Sequence, residues 1–228
     1  MNIVKLQWDT IFFGLSIGKL IITNPKEIDL DILKEKAKDF NLIYIFSNYD
    51  IEGLCIIDKK EVFIKKDIVN NKYFYYDTVS FSTKIHSYNQ LLSLTLQSGK
   101  HSRFNIDKNF KADDYIKLYT EWIDKSISKE LAIDIIVKII DNKIVGFTTL
   151  NNKTDSLAEI GLVAVDSNYR GLGIARELIQ RTIYKAKELN FKSIQVVTQH
   201  DNTPAVKLYE STGFRSESIK NIYHYWNI

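Results

Sequence analysis

Arg170-Gly171-Leu172-Gly173-Ile174-Ala175 is the segment of this 228-residue chain whose residue types point most directly to a ligand. A glycine-bearing turn that opens a helix presents free backbone N–H groups and the positive end of the helix dipole, which together suit a phosphate or pyrophosphate. A dinucleotide fingerprint beginning at Gly171 would need glycine at position 176, where Arg176 stands. No Gly-Lys-Ser/Thr sequence is present to make a P-loop. What remains is R-x-x-G-x-A. No Ser/His/Asp order, no His pair at metal spacing and no carboxylate pair stands out, so neither a metal nor a covalent enzyme intermediate is expected.

The flanking residues supply elements to hold that turn. Glu159 to Val165 is apolar and rich in β-branched residues, as a buried strand is, and Asp166-Ser167-Asn168 breaks it. Ile174, Leu178, Ile179, Ile183 and Ala186 then recur at helical spacing. Phe191 to Thr198 reads as the next strand. A single crossover between the two strands predicts parallel pairing. Asn202-Thr203 caps a further helix with Pro204 at its first position and Gly213 as its stop, and a tail of strands follows from Phe214.

Upstream, the spacing predicts a strand over Lys19–Ile22, a helix through Leu30, Leu33, Ala37 and Phe40 behind Asn24-Pro25, and a strand over Leu42–Phe46. Two more strands are expected at Glu61–Lys66 and Thr78–Thr83, joined by a polar, tyrosine-rich loop. Tyr88–Leu96 reads as a helix ended at Gly99, His101–Asn105 as a loop, and Asp113–Ser126 as a helix with Ile116, Tyr119, Trp122 and Ile123 along one face. Ile133–Ile140 and Ile144–Leu150 flank Asp141-Asn142-Lys143 as a hairpin, and Asn151–Asp155 reads as a second turn.

Composition narrows the class. A chain that is 45% hydrophobic and 26% charged is that of a globular protein. Its single cysteine, Cys55, excludes an internal disulfide and points to a reducing, cytoplasmic setting. The start MNIVKLQWDT lacks a signal-peptide pattern, and no apolar run approaches the roughly 20 residues of a membrane span. A net charge of +3 suits an anionic ligand but is short of a nucleic-acid footprint.

Two motifs together carry a resemblance. R-x-x-G-x-A after a strand ending Val-Ala-Val resembles the coenzyme A loop of the GNAT superfamily of acyl-CoA N-acyltransferases. Asn202 to Phe214 is similar to that family's N-x-x-A-x-x-x-Y-x-x-x-G-F motif. The resemblance covers about residues 78–228. It implies an α/β (α+β) fold of GNAT type, a mixed central sheet with splayed parallel strands, preceded by a smaller αβ domain over residues 1–77. Leu6-Gln7-Trp8-Asp9, Phe12-Phe13-Gly14, Ser102-Arg103-Phe104, Thr198-Gln199 and the Tyr-Trp ending also resemble the dTDP-fucosamine N-acetyltransferases. Those enzymes acylate the amine of a nucleotide-linked amino-dideoxyhexose used in surface polysaccharide.

The resemblance implies a set of roles. Acyl-CoA would be the co-substrate, its pantetheine paired with the backbone at Leu162, Val163 and Val165. Its pyrophosphate would lie on N–H groups of Arg170, Gly171, Leu172, Gly173, Ile174 and Ala175, with Arg170 itself either facing solvent or buttressing the loop. Asn202 would bind the cofactor or simply cap its helix. Tyr209, on the helical face of the small Ala205, would be the general acid toward the leaving thiolate; a phenol ionises near 10 and a thiol near 8.5. Glu61, Asp58 and His200 are candidates for the base, as is a water chain. Trp8, Phe12, Phe13, Arg103 and Phe104 are the acceptor candidates, aromatics for a thymine ring and arginine for a diphosphate. A GNAT-like edge strand could support a homodimer. The alternatives are a GNAT acting on a peptide N-terminus or small amine, and a non-catalytic acyl-CoA sensor.

Overall fold

The computed structural model describes residues 1–24, 28–70 and 76–227. Two compact units divide it differently from the expected boundary at residue 77: one holds Met1–Glu61, Thr198–Asn202 and Ser218–Ile228, the other Val62–Val197 and Thr203–Glu217. Pro25 and residues 71–75 of the tyrosine-rich loop lie outside the described residues.

The first unit contains β1 (Val4–Lys5), α1 (Gln7–Phe13), β2 (Ile17–Ile22), α2 (Leu30–Lys36) and β3 (Leu42–Ser47), with the leading part of β4 (Ile56–Lys65). β2 and β3 run parallel, while β1 pairs with β2 and the end of the last strand pairs with β3, both antiparallel. The aromatic run at Trp8–Phe13 is a helix, ended by Gly14 at φ 65°. Asp29 caps α2 by accepting from the Asp31 and Ile32 N–H groups. The core of this unit gathers Leu20, Ile22, Leu33, Ile43, Ile45 and Tyr223.

The second unit contains β5 (Val79–Ser80), α3 (Tyr88–Ser98), α4 (Arg103–Ile106), α5 (Asp114–Ile127), β6 (Asp134–Ile140), β7 (Lys143–Thr154) and β8 (Leu157–Val165). It continues with α6 (Ile174–Glu188), β9 (Ser193–Gln199, by its leading part), α7 (Thr203–Ser211) and the start of β10 (Arg215–Trp226). Neighbouring strands run β9-β8-β7-β6-β5, antiparallel except for the parallel pair β8–β9 made by the α6 crossover. This is the mixed sheet and helix arrangement of the GNAT fold. Alternate residues of β6 face opposite sides: Ile135 and Val137 pack with Leu91, Leu94 and Ile123 of α3 and α5, and Ile136 packs with Ile174 and Leu178 of α6. Burial of each such side chain stabilises by about 1.5–3 kcal/mol.

Several expected boundaries move. Residues 103–106 form one helical turn rather than a loop, with Ser102 accepting from the Phe104 N–H. The buried stripe of α5 is Leu118, Tyr119 and Ile123, and Ile116 is exposed. β7 continues through Asn151 to Thr154, so the second turn shrinks to Asp155-Ser156. The strand expected over Thr78–Thr83 keeps only Val79–Ser80. The tail is one strand, β10.

Candidate acyl-CoA site in the second unit

β8 and β9 pair over four positions only, from Leu157↔Ser193 to Ile160↔Val196. Beyond them β8 runs on to Val165, and β9 past Val196, without pairing to each other among the described residues. The cause lies on the other edge of β8. Its register with β7 passes from Thr148↔Val163 to Leu150↔Ile160, so Gly161 and Leu162 together face the single residue Thr149. That is a β-bulge, which bends the strand carrying the extra residue and ends its pairing. A Cβ at 161 would come within 2.7 Å of both Thr149 Oγ1 and Asn151 Nδ2, so any other residue would displace those two side chains. A glycine inside an apolar strand was the one signal in the sequence for this bend.

Backbone direction follows from the bulge. The Leu162 N–H donates to Thr149 Oγ1 (2.9 Å), and the Asp166 N–H donates to Val145 O (2.9 Å), both on the β7 side. By strand alternation the peptide groups of Val163 and Val165 face the open edge. Of the three backbone positions expected to meet pantetheine, Leu162 is therefore turned away. The Val165 carbonyl accepts from Arg170 Nε (3.2 Å), and Arg170 is at the same time exposed.

The loop at the end of β8 is held from below. Lys143 Nζ lies 2.7 Å from Asp166 Oδ2 and 5.4 Å from the Tyr169 ring centroid. This hydrogen bond and that from the Asn168 N–H keep the Asp166 carboxyl below its usual range. Gly171 and Gly173 then adopt φ 81° and 80°, the left-handed region that glycine alone enters freely, with Gly173 as the N-cap of α6. No atom lies within 4 Å of where a Cβ would stand at either glycine. The loop thus offers an open backbone surface at the start of a 15-residue helix, a fit for a diphosphate. Leu172 is exposed and Ile174 is buried under the loop.

Tyr209 is buried against Phe63 and Phe214, with centroids at 5.9 and 6.0 Å. Its helix ends in a Gly213 C-cap at φ 88°, with the Phe214 N–H reaching back to the Tyr209 carbonyl (3.0 Å). Burial pushes the phenol well above its ordinary 10.0. The folded chain therefore holds this proton more tightly than the unfolded chain does. Stability from it is intact below about pH 10 and is lost as pH rises toward the folded value. Tyr209→Phe removes that dependence, so its urea midpoint should fall less than the wild type's as pH is raised through about 10. Parallel midpoint curves would contradict the assignment.

The other expected residues divide between the two units. In the first, Trp8 stacks on Phe12, four residues along α1, at 4.8 Å and 15°, and Phe12 meets Phe13 edge-on. Trp8 is exposed, whereas Phe13 is buried in the core, which removes it as a stacking platform. In the second, the Arg103 guanidinium lies 4.6 Å from the Phe104 centroid. Phe104 is itself buried against Phe110 and Trp122, so it too is core rather than platform. Among the base candidates, buried Glu61 sits 2.8 Å from His200 Nδ1, and the His200 N–H donates to Lys59 O (2.7 Å), making one pair of two separate suggestions. Asp58 is half-buried on β4 and Asn202 is half-buried just before α7. Among the described residues no group of three His, Cys, Asp or Glu side chains could hold a metal, and no helix is long and apolar enough to cross a membrane.

The sequence model of the acetyltransferase (GNAT) family matches residues 102–214. Over that segment the chain is similar to the family. The GNAT segment thus takes in α4 to α7, the bulge, the loop and Tyr209. Over 136 residues the chain is 25% identical to the spore coat polysaccharide biosynthesis protein SpsD of Bacillus subtilis, spanning 60% of this chain but 46% of that protein. In structure it is similar to a conserved protein of unknown function from Staphylococcus epidermidis (TM-score 0.65, 15% identity, 99% of this chain and 90% of that one). It is also similar to a GCN5-related N-acetyltransferase from Sphaerobacter thermophilus (TM-score 0.56, 11% identity, 99% and 75%). At these identities the structural likenesses establish the fold alone.

Proposed function

We propose that this chain is an N-acyltransferase. It moves an acetyl or longer acyl group from acyl-CoA to the amine of a dTDP-linked 3- or 4-amino-dideoxyhexose destined for surface polysaccharide. The observation that carries the acyl-CoA half is the open edge of β8 leading into the loop of Gly171 and Gly173. An extended arm with amide groups can pair with Val163 and Val165 as an added strand, while the loop N–H groups hold its diphosphate. The neutral amine attacks the thioester directly. Tyr209 donates to the departing sulfur.

Support for the sugar half is the likeness to a polysaccharide biosynthesis protein together with Arg103, in the same unit as the glycine loop. The test is turnover of acetyl-CoA with a dTDP-amino sugar, set against a peptide N-terminus and a simple amine. Turnover of the peptide or simple amine alone would overturn the sugar reading. Tight CoA binding without turnover of any amine would make the protein a sensor. Arg103→Ala should raise KM for the sugar nucleotide about tenfold or more and leave KM for acyl-CoA unchanged, since charge-assisted bonds to a diphosphate contribute about 1.5–3 kcal/mol. Equal losses on both substrates would assign Arg103 to folding.

A further inference from the structure

Opposite Thr149 the pairing of β7 with β8 carries one residue too many, and a side chain rather than a carbonyl receives the displaced N–H. Thr149 is buried, and its Oγ1 accepts from the Leu162 N–H at 2.9 Å. The same oxygen stands where a Cβ on residue 161 would have to pass, as does Asn151 Nδ2. Thr149, Asn151 and Gly161 therefore interlock at the point where β8 leaves β9.

We propose that Thr149 is a positioning residue for the pantetheine arm of the co-substrate. By holding Leu162 toward β7, its hydroxyl turns the peptide groups of Val163 to the open edge, where an added strand would need them. The inference rests on the acyl-CoA reading of that edge. It goes beyond it in making a side chain on β7, with no contact to the co-substrate, responsible for the register of that strand. A valine has the shape of threonine without the acceptor. Thr149→Val leaves the half-buried Leu162 N–H without its protein acceptor, and the bulge then relaxes into another register.

The test compares binding of CoA with binding of adenosine 3′-phosphate 5′-diphosphate, the fragment that lacks pantetheine. Thr149→Val should weaken CoA about tenfold and leave the fragment unchanged, while Thr149→Ser, which keeps the oxygen, should bind both like the wild type. An equal loss on both ligands, a loss on neither, or a serine variant no better than valine would overturn the proposal. Should the valine variant not fold, amide exchange in the wild type decides: the Leu162 N–H should exchange slowly, and rapid exchange would refute the assignment. A wild-type protein that binds neither CoA nor the fragment would defeat the acyl-CoA reading itself.

Discussion

Tyr209→Phe should lower kcat by about 10²–10⁴-fold while the affinity for CoA stays within about twofold, as expected for the loss of one general acid that makes no ground-state contact. The substitution keeps the ring, so its packing against Phe63 and Phe214 survives and the fold is not at issue. Burial raises this phenol, which by itself makes it a weaker acid toward a thiolate. A thiolate departing into the same desolvated place gains basicity for the same reason, since both anions lose hydration. The pair therefore stays closer in proton affinity than the tyrosine alone suggests. The phenol also remains protonated across the working pH range, so the alkaline limb of kcat should not reflect its loss of a proton near pH 10. Steady-state kinetics with acetyl-CoA give the result. An unchanged kcat would return Tyr209 to the role of a core aromatic, the place that buried Tyr44, Tyr119 and Tyr223 fill.

The sequence announced the parts of the site that depend on glycine and on periodicity. The break at Asp166, the turn at Gly171–Gly173, the α6 stripe and the Gly213 stop all came from local chemistry, and all are found in place. What it could not announce depended on a neighbour in space. The bulge needs Thr149 to lie across from Gly161, and no property of either residue alone gives that pairing. The aromatic candidates divide for the same reason: Trp8 and Phe104 look equally able to stack, yet Phe104 is enclosed by Phe110 and Trp122 while Trp8 reaches the surface. The unit boundaries were hidden because the closing strand β10 pairs with β3, a partner more than 170 residues away. Glu61 and His200 were read as separate candidates for the same reason, since only folding sets them 2.8 Å apart.

Replacing both loop glycines by alanine should weaken CoA binding about a hundredfold, and either one alone about tenfold. Both sit near φ 80°, where an L-residue costs about 1–2 kcal/mol, and each 1.4 kcal/mol is a factor of ten. No steric conflict contributes, because the space above both Cα atoms is open. The free variant would let its loop relax, and the apparent affinity would fall by the fraction of molecules still holding the binding conformation. Thermal stability should change little, since a relaxed surface loop carries no strain into the core. The side chains of the same loop provide the contrast. Leu172→Ala should leave affinity unaltered, because that side chain points into solvent. Arg170→Ala should cost only a few-fold, through the lost bond to the Val165 carbonyl. Calorimetric titration with CoA measures all five variants. Alanine at both glycines with wild-type affinity, or a larger loss at Arg170 than at the glycines, would mean that the diphosphate is held by charge and not by main-chain N–H groups set in place by two left-handed residues.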